Sequence, residues 1–278
     1  PVMVDRVASS PDALSLSGER RDLSILFSDV RDFTTWTEQY AESPERLTAI
    51  LNRYFTAMTE VILDNEGTID KYIGDAIMAF WNAPLDVPQH PRNACLAALG
   101  MLRRLDELNK ELGLEAQEAG LPYRPIRIGV GIETGLAFVG NMGSRQRFNY
   151  SVIGDSVNVA ARLESQCKTY GMQILVGDNV RNAAPDLAYL EVDETLLKGK
   201  TVASRIWAVV GDDRLATTPG FAELAADQEI AVHAIAEGDE SKAQAAMARA
   251  RQQAEKLGLG TLYAGYVTAV SKRLKVAA

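Results

Sequence analysis

Apolar and polar positions change period several times along this chain, and each change marks an element. Leu23 to Phe27 alternates and is rich in apolar residues, which predicts a buried strand ending at Asp29. Ser43-Pro44-Glu45 then opens a helix, with a hydroxyl free to cap and proline at the first helical position. Leu47, Ile50, Leu51, Tyr54, Phe55, Met58, Val61 and Ile62 recur at helical spacing until Gly67 stops it. Thr68 to Tyr72 and Ala76 to Trp81 are predicted strands around Gly74-Asp75, a hairpin pattern. A proline-bearing loop leads to a helix from about Arg92 to Leu112, and strands are predicted at Ile126 to Ile132 and at Ala137 to Val139. Ser156 to Gln166 turns Val157, Val159, Ala160 and Leu163 inward as a helix, and Gln173 to Val176 is a strand. Leu187 to Leu197 and Ser204 to Val210 form a closing hairpin across Gly199. Strands alternating with helices in this order predict an α/β sandwich on one mixed sheet.

After Thr217-Thr218-Pro219-Gly220 the strand signal ceases and Ala, Glu and Gln dominate. Three amphipathic helices are predicted over Phe221 to Glu237, Asp239 to Leu257 and Thr261 to Lys275, broken by Gly238 and by Gly258-Leu259-Gly260. The chain therefore divides into a polar linker at 1–21, a main domain at 22–212 and a helical tail at 213–278. The tail is expected to pack on its own domain or on a dimer of it.

Composition narrows the function. With 278 residues, 47% hydrophobic and 24% charged, the chain can bury a sizeable core. A net charge of −8 argues against nucleic acid or an anionic membrane as partner, since both recruit basic surfaces. An anionic substrate must then meet cations gathered locally. Cys95 and Cys167 are far apart and lack metal-ligand spacing, so neither a disulfide framework nor a zinc site is expected from them, and a reducing, intracellular setting is. No apolar run approaches the roughly 20 residues that span a bilayer. The start at Pro1 is compatible with a piece of a longer protein, including a receptor with membrane spans upstream.

Three stretches carry candidate chemistry. In Phe27-Ser28-Asp29-Val30-Arg31-Asp32-Phe33-Thr34 a strand delivers a carboxylate to its carboxyl end, where α/β sheets place ligands, and backbone N–H groups at the next helix start can hold phosphate. Taken alone, Asp29 reads equally as a helix cap. Lys71-Tyr72-Ile73-Gly74-Asp75 sets a second carboxylate at a hairpin tip; hard oxygen donors on neighbouring strands suit two Mg²⁺ ions on a polyphosphate, although a Lys71–Asp75 ion pair is the plainer reading. In Tyr150 to Arg162, Asn158 and Arg162 lie four apart at a helix start and project from one face, which suits an anion as well as a solvated surface. Leu197-Lys198-Gly199-Lys200 adds lysines at a turn.

Together these stretches resemble the catalytic domain of class III nucleotide cyclases over about Gly18 to Val210, through GERRDLSILFSDVRDFTTWTE, IDKYIGDAIMAFWNAPL, VGNMGSRQRFNYSVIGDSVNVAARLE and LKGK. The nearest resemblance is to bacterial adenylate cyclases, often fused to membrane sensors. It implies a ferredoxin-like α/β sandwich with a C-terminal helical appendage, pairing head to tail as a homodimer with ATP at the interface, in the cytoplasm or as the cytoplasmic part of a membrane-anchored receptor. Carried over by motif, Asp29, Asp75 and the Val30 carbonyl hold two Mg²⁺ or Mn²⁺ ions per active site. Phe33 and Thr34 lie in the phosphate loop. Lys71 reads adenine, Asn158 orients the ribose, Arg162 meets the transition-state phosphate and Lys198 the terminal phosphates. Two positions depart from the pattern. Ser151 stands where many members have Asp, as in the subgroup with bicarbonate-responsive cyclases; Asp32 stands where most have glycine, so its extra charge is expected to repel triphosphate. The alternative function is a weak or degenerate cyclase domain serving as a regulatory nucleotide-binding or dimerisation module. A diguanylate cyclase lacks its Gly-Gly-Asp/Glu-Glu-Phe signature here, and a ferredoxin-like nucleic-acid binder lacks the basic, aromatic strand surface.

Overall fold

In the computed structural model, which describes residues 18–144, 146–195 and 204–277, the apolar stretch at Leu23 is the second half of a longer strand, β1 (Gly18–Val30). Leu23, Ser24, Ile25 and Leu26 are all buried, because β1 lies between β3 (Ala76–Trp81) and β4 (Ile128–Ser144). A strand covered on both faces reads as a near-continuous apolar run. Helices α1 (Phe33–Glu38) and α2 (Pro44–Asp64) follow, then β2 (Thr68–Ile73), β3, α3 (His90–Glu118) and β4. The order β2-β3-β1-β4, antiparallel at every neighbour, is the ferredoxin-like βαββαβ arrangement that the sequence implied. On one face α2 buries Ile50, Tyr54, Met58 and Ile62 against Ala94, Ala98 and Met101 of α3 and against Leu26 and Ile77 of the sheet.

The sheet continues past β4. Helix α4 (Asp155–Tyr170) crosses over to β6 (Ile174–Gly177), which lies parallel to β4. Beyond a short helix α5 (Asp178–Ala183), β7 (Ala188–Thr195) and β8 (Ser204–Gly211) form the far-edge hairpin. The predicted strands at 126–132 and 137–139 are one strand of 17 residues, and an unpredicted strand, β5 (Arg147–Ile153), folds back on its outer half. Gly129, Gly131, Gly135 and Gly140 break the alternation that would have shown β4 as continuous. The β4–β5 arm leaves Leu136, Phe138, Phe148 and Ile153 exposed, with Phe138 and Ile153 directly opposed across the strands.

The tail forms α6 (Asp213–Ala216), α7 (Phe221–Glu237), α8 (Glu240–Lys256) and α9 (Gly260–Ala277), with breaks where Gly238 and Gly258 take positive φ. Asp239 caps α8 by accepting from the Lys242 N–H at 3.0 Å. The tail packs on its own domain: Phe221, Leu224, Tyr263 and Tyr266 share a core with Leu190, Val192, Ile206 and Val210. Gln228 Nε2 donates to the Glu191 carbonyl at 2.7 Å, and the Tyr263 hydroxyl donates to Gln228 Oε1 at 2.7 Å. No helix among the described residues is long and apolar enough to cross a membrane.

Candidate active site

Asp29 is the penultimate residue of β1, and Asp75 follows Gly74 at the β2–β3 turn. Pairing of Ser28 with Ile77 brings that turn beside the end of β1. Gly74 makes the turn with φ 65°, a left-handed conformation free of steric cost only in glycine. The Val30 N–H donates to Asp75 Oδ2 at 3.2 Å, and the Asp29 carboxyl lies close enough to Asp75 to perturb it. Burial, then the Asp29 hydrogen bond and charge, hold the Asp75 carboxyl up at about 6. Beneath them the buried Tyr54 phenol is raised as well, first by burial and then by the Asp75, Asp29 and Glu164 charges. Two carboxylates in one half-buried space repel unless a proton or a cation is shared between them. Their hard oxygen donors fit a divalent Mg²⁺ or Mn²⁺ ion. Val30 itself is the buried end of the strand.

A second, polar cluster joins β2 to β5. Lys71 Nζ donates to Ser151 Oγ at 3.1 Å, and the Ser151 hydroxyl donates to Asp70 Oδ2 at 2.7 Å. Lys71 Nζ also stands 3.2 Å from Asp70 Oδ1, a charge contact off the hydrogen-bonding line. The Asp70 side chain is fully buried and Ser151 is buried too, whereas the Lys71 side chain is 41% exposed, so the cluster presents its lysine from a buried Ser–carboxylate base. Lys71 therefore engages Ser151 and Asp70, and Asp75 engages Val30 and Asp29.

Asn158 lies exposed in the first turn of α4 and Arg162 half-buried one turn on, so both project from one side. The helix is tied to the end of β1 by Arg31, whose Nη2 donates to the Glu164 carbonyl at 2.9 Å and pairs with the Glu164 carboxylate at 2.8 Å. The guanidinium lies over Gly129, in the space a Cβ there would fill. Phe33 and Thr34 begin α1, but the Phe33 ring lies 6.0 Å from Trp36 and packs against the core; Thr34 is exposed. Lys198 lies outside the described residues.

Asp32 takes a left-handed conformation, φ 56°, at the start of α1, where glycine is the residue free of a Cβ penalty. Lys168 Nζ at 2.9 Å, Arg127 at 3.3 Å and Arg124 at 3.7 Å surround its carboxylate. The Lys168 hydrogen bond and charge, with the two arginines, hold its carboxyl below the usual range. Asp70, Arg31 and Glu164 were missed by sequence reasoning. A carboxylate inside a short strand, between Ile69 and Lys71, was the available signal for Asp70; Arg31 and Glu164 gave none, because their meeting depends on how α4 crosses β4.

The antiparallel ferredoxin-like part of the sheet thus brings two acidic side chains together at the strand ends, with an Asn/Arg helix alongside. The chain belongs to the family described as "Adenylate and Guanylate cyclase catalytic domain", which it matches over residues 17–210. It is 38% identical over 201 residues to adenylate cyclase 1 of Rhizobium meliloti (strain 1021), covering 72% of this chain and 29% of that protein. To an adenylate cyclase of Anabaena cylindrica it is 39% identical over 194 residues, covering 68% and 37%. The chain thus spans roughly a third of those relatives' length. Among solved structures, the adenylyl cyclase CyaB from P. aeruginosa matches with TM-score 0.57 and 30% identity, covering 72% of this chain and 98% of that one. The guanylyl cyclase Cya2 matches with TM-score 0.60 and 34% identity, covering 70% and 94%.

Proposed function

We propose that this chain is an adenylate cyclase catalytic unit that closes ATP to 3′,5′-cyclic AMP and pyrophosphate at sites shared by two head-to-tail subunits. The observation that carries the reading is the closeness of Asp29 and Asp75, a carboxyl pair whose mutual repulsion a divalent cation relieves. Bound there, two Mg²⁺ or Mn²⁺ ions supply charge neutralisation along the triphosphate and lower the pKa of the ribose 3′-hydroxyl. Asp29 and Asp75 hold that charge at the strand ends. From the partner subunit, Asn158 orients the ribose and Arg162 meets the negative charge that grows on the phosphoryl oxygens as pyrophosphate leaves. Exposed Leu136, Phe138 and Ile153 on the β4–β5 arm support a partner subunit, since side chains of that size clustered on a surface mark interaction sites.

The choice of base follows from the direction of two hydrogen bonds. Ser151 gives its proton to Asp70, so its oxygen faces a ligand as an acceptor; Lys71 faces it as a donor. With Lys71 at N1 and Ser151 at the 6-position, adenine offers the complement, an acceptor at N1 and a donor at N6, whereas guanine, a donor at N1 and an acceptor at O6, fits only with the two positions exchanged. The degenerate-module reading drew on the unneutralised charge of Asp32, and three cations offset that charge. Incubation with Mn²⁺ and either ATP or GTP, followed by chromatographic identification of the product, tests the reaction; absence of cyclic AMP from folded protein overturns it. Mixing inactive Asp29→Ala and Arg162→Ala proteins tests the shared site, because a heterodimer retains one complete set of groups.

A further inference from the structure

Far from the carboxyl pair, on the seam between sheet and tail, Glu191 of β7 points under α7 with its side chain only 1% exposed. Both carboxylate oxygens are buried and receive no hydrogen bond. The nearest cation, Arg205 Nη1, stops 4.0 Å from Oε2 and is itself 44% exposed. Folded proteins rarely leave a buried carboxylate so bare. Directly above it, Glu229 and His233 occupy successive turns of α7, with His233 Nε2 3.8 Å from Glu229 Oε1. One ligand atom from each of Glu191, Glu229 and His233 lies within 4.8 Å of the other two. The helix is held in place here by the neighbouring residue, Gln228, whose amide donates to the Glu191 backbone.

We propose that Glu191, Glu229 and His233 form a structural site for a divalent first-row transition metal, of which Zn²⁺ is the probe, clamping the helical tail to the sheet. Two carboxylates and an imidazole are a ligand set that borderline-soft Zn²⁺ takes readily and that Mg²⁺, which keeps oxygen ligands and water, takes poorly. The orphaned Glu191 oxygens supply what a pair of surface residues alone would lack, a fixed anchor aimed at the site. Glu229 and His233 are partly exposed and rotate freely enough to close on an ion about 2.0–2.2 Å away. Around this point Glu191, Glu229 and Glu194 outnumber Arg205 and His233, so the local field favours a cation. Cysteine spacing gave no hint of such a site, because its ligands come from a strand and a helix 38 to 42 positions apart in the chain.

The test uses the full chain, stripped with chelator, in an Asp75→Asn background so that the carboxyl pair at the β1 end does not contribute. Calorimetric titration with Zn²⁺ is expected to show one site per chain and a rise in melting temperature. Glu191→Gln, which removes the buried charge, and His233→Ala, at a partly exposed position, are both expected to fold and to weaken binding by more than about 100-fold, beyond the roughly 10–100-fold cost of losing an outer-shell partner. Zn²⁺ binding that survives both substitutions, or no Zn²⁺-dependent rise in melting temperature before substitution, overturns the proposal. Neither outcome bears on nucleotide cyclisation.

Discussion

Gly131→Ala probes the packing that positions α4, and its size can be read from the structure. A Cβ at position 131 would stand 2.2 Å from the Ala160 carbonyl oxygen, 2.2 Å from the Glu164 amide nitrogen and 2.8 Å from the Glu164 Cα. All three are backbone atoms of α4, so no side-chain rotation relieves them. Ordinary contact begins near 3.4 Å, and 3.4 − 2.2 gives a retreat of 1.2 Å for the helix. Overpacking of this kind costs about 1–3 kcal/mol, with the upper end expected where backbone must move. A loss of about 3 kcal/mol corresponds to a fall of roughly 6–12 °C in melting temperature for a domain of this size. Asn158 and Arg162 ride on the displaced turns, and a misplacement of about 1 Å costs on the order of 10²-fold in rate. Thermal denaturation and a cyclic AMP assay on one preparation check both effects. Gly113→Ala in α3 is the control, since a Cβ there makes only ordinary contacts with the Tyr123 ring, at 3.5 Å and 3.7 Å. If Gly131→Ala melts within 1 °C of the parent and turns over ATP at a similar rate, the close crossing is not what holds α4 in place.

Three further outcomes follow from the site and the tail. Asp70→Asn returns a donor to Ser151, turning its hydroxyl proton outward; the ATP-to-GTP preference is expected to fall by about tenfold or more, as one mispaired buried polar group costs about 1–3 kcal/mol, and an unchanged ratio in steady-state kinetics refutes the orientation argument. The raised Asp75 carboxyl, about 6 when folded against 3.8 for an ordinary aspartate, binds its proton more tightly in the native state, so metal-free protein is expected to lose stability as pH rises from 4 through 6. Added Mn²⁺ reverses that loss, and Asp75→Asn lacks it; a parallel pH–melting curve for the two proteins contradicts the assignment. Truncation after Pro219 strips Phe221, Leu224, Tyr263 and Tyr266 from the core shared with Leu190 and Val192, and is expected to yield aggregated or strongly destabilised protein by light scattering and calorimetry.

The sequence by itself determined the elements whose pattern is local. The α2 apolar stripe, the hairpin at Gly74-Asp75 and the three tail helices fall where periodicity, caps and glycine breaks put them. Asp29, Asp75, Lys71, Asn158 and Arg162 stood out because strand ends, turns and helix starts are where charged groups are left free to act. Only the tertiary structure decided which of these groups meet. The continuity of β4 was hidden by glycines whose purpose, room for Arg31 and for the α4 backbone, exists only once the helix crosses the strand. Asp70 beneath Ser151, the cations around Asp32 and the bare Glu191 under α7 arise from contacts between distant segments. A charge's partner is set by packing in three dimensions, and periodicity along one dimension carries no record of it.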